Sequence, residues 1–143
     1  MRISREETLS QIVKTVALRT TCPRRAVGAL IVREGRILST GYNGSPAGLA
    51  HCYDVGCLVG PNGGCIRTVH AEINAIAFAA RVGIAVHLAT LWTTVAPCLS
   101  CAKLIINSGI TEVISIEEYR DSAGRDLLEE AKVKCYWHWP HAT

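Results

Sequence analysis

Two short motifs carry side chains that could hold a metal ion and move protons. TVHAEINAI, residues 68–76, places His70 and Glu72 one alanine apart at the start of an apolar run. PCLSC places Cys98 and Cys101 within one helical turn of each other. Two thiolates and an imidazole are ordinary zinc ligands, and three protein ligands leave the fourth tetrahedral position to water. We therefore predict a catalytic zinc site with His70, Cys98 and Cys101 as ligands.

Glu72 is predicted to be the catalytic residue rather than a ligand. Two residues beyond His70, it points in another direction on an ideal helix, so it should miss the metal but reach the bound water. Zinc lowers the pKa of its water to roughly 7, and a nearby carboxylate can accept that proton and later deliver it to a leaving nitrogen. Taken alone, HAE often only caps a helix and a single CxxC motif is ambiguous, but the combination favours catalysis.

These motifs need a scaffold of alternating strands and helices. The pattern predicts helices at 4–19, 69–82, 97–108 and 122–131, and strands in a hairpin at 27–42 and then at 88–95, 111–117 and 132–139. Ser4 and Glu7 form a capping box, Glu34-Gly35 forms the hairpin turn, and Pro97 is expected at the first helical position. One α/β domain over residues 1–143 follows, with a mixed sheet of about five strands covered by helices on both faces.

Composition narrows the class of function. The 143 residues are 49% hydrophobic with a net charge of +3 and no block of like charges, which disfavours a nucleic-acid binder. The N-terminus lacks a signal-like apolar region, and no apolar run approaches the roughly 20 residues that span a bilayer. Seven cysteines, an odd number, favour reduced thiols. We expect a cytoplasmic enzyme that acts on a small molecule, without membrane or nucleic-acid partners.

Four further cysteines border the long loop at 43–67 and could hold a second, structural zinc ion. They are Cys22, Cys52, Cys57 and Cys65. His51 could replace one of them, and reduced, inert thiols are the alternative reading. Cys135 fits the core of the last strand better.

Residues 22–116 resemble the deoxycytidylate deaminases of the zinc-dependent cytidine deaminase superfamily. CPRRAVGALIV, GYNGSPAG, HCYDVGC, CIRTVHAEINAI and APCLSCAKLIINSGI follow that family in order and spacing. The resemblance implies a three-layer α/β/α cytidine-deaminase-like fold and hydrolysis of dCMP to dUMP and ammonia, which would supply dUMP for dTMP synthesis. It further implies that the activated water attacks C4 of the pyrimidine while Glu72 protonates N3 and then the departing ammonia.

The same resemblance implies substrate and effector sites. Asn43 is expected to hold the sugar hydroxyl, and Ala71 is expected to contact the substrate. Such enzymes are typically homohexamers that dCTP activates and dTTP inhibits together with Mg²⁺. The glycine-rich loop suits these effectors, and the residues expected to bind them are Gly44, Ser45, Pro46 and Gly48. The apolar circumference of the helix at 71–82 is compatible either with assembly or with simple burial.

The phosphate of a nucleotide substrate needs arginine forks near the carboxyl ends of strands. Arg24 and the Tyr119-Arg120 pair are the candidates, although surface arginines without a ligand would have the same pattern.

Two alternatives remain at this point. A deaminase of free cytidine, tRNA adenosine or single-stranded DNA is one, but Trp137 and Trp139 alternate in the last strand and favour sheet packing over base stacking. A zinc-binding module without catalysis is the other. It would need a fourth protein ligand, and the neighbourhood of PCLSC offers only Ser100 and Lys103.

Overall fold

The computed structural model describes residues 1–137, which fold into a five-stranded mixed sheet with helices on both faces. The helices are α1 Arg5–Ala17, α2 Cys52–Val55, α3 Ala71–Val82, α4 Leu99–Asn107 and α5 Ala123–Glu130. The strands are β1 Gly28–Arg33, β2 Arg36–Tyr42, β3 Thr90–Val95, β4 Glu112–Glu117 and β5 Lys134–Tyr136. The strand order is β2-β1-β3-β4-β5; β1 runs antiparallel to both neighbours, and β3, β4 and β5 run parallel. The predicted fold class is confirmed.

The two faces of the sheet bury separate clusters because side chains alternate along each strand. Ile31 of β1 and Leu91 of β3 face a cluster that includes residues of α3, α4 and α5. Their neighbours Leu30 and Trp92 face the other side, where they pack against Val13 of α1. The three layers are thus α1, the sheet, and a layer that contains α3, α4 and α5.

Several boundaries differ from the prediction by a few residues. Glu34 and Gly35 both have positive φ, 52° and 72°, as the predicted tight hairpin turn requires. The strand expected from residue 88 begins at Thr90, because Leu88 has a left-handed φ of 62° that interrupts an extended chain. The last strand ends at Tyr136, and residues 138–139 of the prediction, with Trp139, lie outside the described residues.

Close packing of α3 on the sheet places the first candidate motif. A side chain at Gly41 of β2 would collide with the carbonyl of Ala71, so only glycine lets the start of α3 approach so closely. β3 ends at Val95 and leads directly into α4, which brings the PCLSC motif to the same edge of the sheet. Within residues 1–137, no helix is long and apolar enough to cross a membrane.

Candidate active site and second metal centre

The first candidate centre is built on the starts of two helices. His70 is the N-cap of α3 and Cys98 is the N-cap of α4, and both have extended backbone angles. The expectation that Pro97 would be the first helical residue is wrong, because the helix begins two residues later at Leu99. Cys101 still lies in the first turn of α4, so both sulfurs point toward His70 from one helix end.

The three side chains meet at distances that suit zinc. His70 Nδ1 lies 3.4 Å from Cys98 Sγ and 3.3 Å from Cys101 Sγ. A tetrahedral ion with bonds of about 2.3 Å to sulfur and about 2.0 Å to nitrogen holds such atoms about 3.5 Å apart. The residues present therefore fit a zinc ion, with His70 offering Nδ1.

One of the two thiols in this centre is set up to be a thiolate, the form that binds metal. The pKa of Cys98 is lowered to about 4, chiefly because the Cys101 thiol donates a hydrogen bond to its sulfur. The same contact, together with burial, raises the pKa of Cys101. The pKa of His70 is raised, chiefly by its hydrogen bond with Cys98. A cation that enters between these groups would displace protons held by Cys101 and His70.

Glu72 lies beside the three ligand candidates and is not one of them. The residue is only 4% exposed, and burial raises the pKa of its carboxyl group. Its Oε2 lies 3.5 Å from Cys101 Sγ, and its Oε1 lies 3.5 Å from the hydroxyl of Thr93. The geometry leaves this carboxyl group next to the point where the three ligand atoms converge.

Thr93 is a neighbour of the centre that sequence reasoning missed. Its side chain is fully buried on the face of β3 that meets α3, and its hydroxyl donates a hydrogen bond to the carbonyl of Val95 at 2.8 Å. A threonine on the buried face of a strand was the available signal, but strand alternation alone did not reveal which helix it would meet.

One cavity of about 1030 Å³ joins these groups to the predicted substrate residues. Its lining includes His70, Glu72 and Cys98, and also Asn43, Ala71, Arg24, Tyr119 and Arg120. Ligand sites commonly have volumes of about 300–1,000 Å³, so a nucleotide fits. The cavity therefore brings all five predicted substrate residues to the first candidate centre.

The polar wall of the cavity is held by specific contacts. Asn43 Oδ1 accepts from the Val27 amide at 2.8 Å, and its Nδ2 donates to the Arg25 carbonyl at 2.7 Å. An amide nitrogen carries two donors, so one remains for a ligand. The Arg120 guanidinium lies over the Tyr119 ring, 5.5 Å from its centre.

The predicted effector residues lie elsewhere, since the cavity lining includes none of Gly44, Ser45, Pro46 and Gly48. Gly44 pairs with Val69 in an isolated antiparallel bridge. The Ser45 amide donates to the Thr21 hydroxyl at 2.9 Å, while the Ser45 hydroxyl is buried without a hydrogen-bond partner in the described chain.

The second candidate centre consists of four cysteines whose sulfurs lie within 4.8 Å of one another. They are Cys22, Cys52, Cys57 and Cys65, all free thiols. The Cys22–Cys57 and Cys52–Cys65 sulfur pairs are 3.6 Å and 3.7 Å apart. A tetrahedral ion with four Zn–S bonds of about 2.3 Å sets its sulfurs about 3.8 Å apart, so this group also fits zinc. His51 is not part of the converging group.

Local hydrogen bonds favour the thiolate form of one of these four cysteines. Burial acts to raise the pKa of Cys65, but backbone hydrogen bonds from Arg67 and Leu58 lower it to about 6. Burial raises the pKa of Cys52 to about 12. The cluster thus contains at least one thiol that readily becomes a thiolate, the form that binds zinc.

Comparison with known families agrees with this arrangement. Residues 3–117 match the model of the cytidine and deoxycytidylate deaminase zinc-binding region. The chain belongs to this family. The expected resemblance is therefore confirmed, and so is the prediction that the chain is of a zinc-binding type.

Individual proteins are similar to this chain over most of its length. ComE operon protein 2 of Bacillus subtilis is 45% identical over 119 residues, which cover 82% of this chain and 62% of that protein. Deoxycytidylate deaminase of Saccharomyces cerevisiae is 37% identical over 142 residues, which cover 93% of this chain and 44% of the yeast protein. The chain thus spans less than two thirds of the length of either relative.

A solved structure matches over nearly the whole of both chains. The dCMP deaminase of cyanophage S-TIM5, determined in complex with dCMP and dUMP, superimposes with a TM-score of 0.84 at 29% identity. The match covers 96% of this chain and 98% of the phage chain.

Proposed function

We propose that this chain hydrolyses dCMP to dUMP and ammonia. The observation that carries the proposal is the convergence of His70, Cys98 and Cys101 beside the buried carboxyl of Glu72, at one cavity whose lining also carries arginines. Three ligands leave a tetrahedral position open, as catalytic zinc sites do. The similarity to a phage dCMP deaminase over almost its full length supports dCMP as the substrate.

The metal ion and Glu72 would have different roles in the reaction. When bound by His70, Cys98 and Cys101, zinc supplies a water molecule whose pKa is lowered to roughly 7. The Glu72 carboxylate would accept one proton from that water and deliver it to N3 of the pyrimidine. It would then pass the second proton of the same water, from the hydroxyl group added at C4, to the amino group, which leaves as ammonia while the C4=O bond forms. Burial of Glu72 favours its protonated form, which helps it to donate.

The rest of the cavity would hold the nucleotide. The Ala71 amide, at the first position of α3, has no acceptor within the helix and can donate to the base. The remaining Nδ2 donor of Asn43 would hold the sugar hydroxyl. Arg24 and Arg120 would bind the phosphate, with Tyr119 supporting the Arg120 guanidinium.

A steady-state assay of ammonia release tests the substrate. Wild-type protein should turn over dCMP far better than cytidine or a single-stranded oligonucleotide. Preference for either competitor would identify a different deaminase. A protein that binds zinc yet releases no ammonia from any of the three would be a zinc-binding module instead.

We further propose regulation and assembly of the kind that the resemblance implies. dCTP would activate and dTTP would inhibit, each with Mg²⁺, near Gly44, Ser45, Pro46 and Gly48. A homohexamer is supported by α3, whose Phe78 and Val82 side chains are each 50% exposed. Light scattering and assays with each triphosphate test both points, and a monomer that ignores triphosphates would contradict them.

The four-cysteine cluster would hold a structural zinc ion. Four thiolates complete the tetrahedron and leave no place for water, so this centre would have no direct catalytic role. Reduced thiols also support a cytoplasmic location, where dUMP could serve dTMP synthesis.

A further inference from the structure

A small hairpin of residues 58–66, here called the stapled hairpin, forms one wall of the cavity. Val59 and Cys65 pair in an antiparallel bridge, and the Ile66 amide donates to the Leu58 carbonyl at 2.7 Å. The Gly60 amide donates to the Gly64 carbonyl at 2.8 Å and closes the turn. All residues of the turn, 60–64, line the cavity together with Cys22 and Cys65. The two candidate metal centres thus border the same space.

One hydrogen bond ties this hairpin to a predicted phosphate ligand. Arg24 Nη2 donates to the Gly63 carbonyl at 2.7 Å. Arg24 lies two residues after Cys22, and Gly63 lies two residues before Cys65. Both ends of the bond are therefore anchored in the same cysteine cluster. On the same wall, a side chain at Gly64 would lie 3.6 Å from the Arg120 guanidinium, so the turn runs between the two arginines.

We propose that the four-cysteine cluster sets the affinity for the 5′-phosphate of a nucleoside monophosphate by fixing Arg24 and the stapled hairpin as one wall. This inference rests on the proposed deaminase function. A flexible wall must be ordered when the substrate binds, and that entropic cost weakens binding. A crosslinked wall is ordered beforehand. The candidate zinc ligands and Glu72 lie at the starts of α3 and α4, outside the hairpin, so the chemical step does not depend on the cluster.

A ligand substitution separates these effects. Cys57→Ser should remove the second zinc while the first is retained, which metal analysis measures. The KM for dCMP should rise roughly tenfold, the value of one hydrogen bond to a charged group, while kcat stays within about twofold. The dissociation constant of dUMP, measured by calorimetry, should rise in parallel. Cys57→His keeps a zinc ligand and should restore all three values.

Cys135→Ser is the matched control. Cys135 belongs to β5 and to neither cluster, so this change should leave zinc content, KM and dUMP affinity as in the wild type.

A second variant tests the wall without touching a cysteine. Gly63 has a φ of +78°, which other residues adopt only with strain, so Gly63→Ala should displace the carbonyl that holds Arg24. Both zinc ions should remain, and KM should rise severalfold at unchanged kcat.

Unchanged KM and dUMP affinity in both Cys57→Ser and Gly63→Ala would overturn the inference, as would a loss confined to kcat. Absence of dCMP turnover in the wild type would instead overturn the proposed function.

Discussion

The two cysteine-containing clusters differ in what supports them and in how many ligands they offer. His70, Cys98 and Cys101 lie at the starts of α3 and α4, which pack on the central sheet. The four-cysteine cluster lies in loops and one short helix, α2. Rigid elements hold an incomplete ligand set without help from the metal, whereas a loop cluster needs the metal to become ordered. A preformed centre with an open coordination position therefore suits catalysis, whereas a closed centre suits the crosslinking of loops.

The polar groups next to the two clusters also differ in whether they can take part in a reaction. The first cluster has a buried carboxyl group 3.5 Å from one of its sulfurs. In the second cluster the thiol of Cys65 receives backbone hydrogen bonds instead. A carboxyl group can exchange protons with a reacting molecule, whereas an amide donor only stabilises a thiolate.

Loss of a ligand from the first cluster should have the largest effect on activity. Cys101 is fully buried, and Cys101→Ala should reduce ammonia release from dCMP to the background rate and remove the first zinc. The second zinc should remain, since the clusters share no ligand. Turnover close to that of wild type would show that the wrong cluster has been assigned to catalysis. Cys135→Ala, outside both clusters, serves as the control.

Removal of the carboxyl group that we propose as the proton carrier should have the next largest effect on activity. Glu72→Gln keeps the size of the side chain but cannot shuttle a proton, so kcat should fall roughly 10³- to 10⁴-fold, in line with general acid–base catalysis. Both zinc ions should stay bound, which distinguishes this loss from that of Cys101→Ala. A kcat within tenfold of wild type would exclude Glu72 as the proton carrier.

Loss of a ligand from the second cluster should mainly lower the thermal stability of the protein and its affinity for dCMP. Cys52→Ser should lower the midpoint of thermal unfolding by on the order of 10 °C, because a structural metal contributes folding free energy directly. Calorimetric scans with and without added zinc measure this midpoint. Added zinc should raise the unfolding midpoint of the wild-type protein more than that of the variant. Equal midpoints for the two proteins would mean that the four thiols are inert.

The smallest effect should come from the rim of the cavity. Arg120 lies over Tyr119 and is one of two arginines expected at the phosphate, so Arg120→Ala should raise the KM for dCMP about fivefold at unchanged kcat. Arg81, an exposed residue of α3 outside the cavity lining, provides the matched control. An unchanged KM would leave Arg24 as the only phosphate ligand of the pair.

Local patterns singled out the residues of the first candidate centre because these residues lie in short motifs at helix starts. The HAE and PCLSC spacings and the hairpin turn at Glu34-Gly35 each depend on neighbours within one or two turns of chain. The error at Pro97 is also local. An extended Cys98 caps the helix, so the proline precedes the cap instead of following it.

Apart from the proposed metal clusters, the following contacts between distant segments were not predicted, because periodicity carries no information about which loop meets which. The Arg24–Gly63 bond joins residues 39 positions apart, and Thr93 meets Glu72 across 21 positions. The ion pair of Arg25 with Glu117 beside the cavity, at 2.9 Å, spans 92 positions. The path of the long loop at 43–67 along the cavity likewise depends on tertiary packing.

The most direct test of the account is ammonia release from dCMP by wild-type protein whose zinc content has been measured in the same sample. The open centre beside Glu72 predicts ammonia and dUMP in equal amounts, at a rate proportional to the zinc bound at the first centre. A fully zinc-loaded, folded protein that leaves dCMP intact would contradict the central claim.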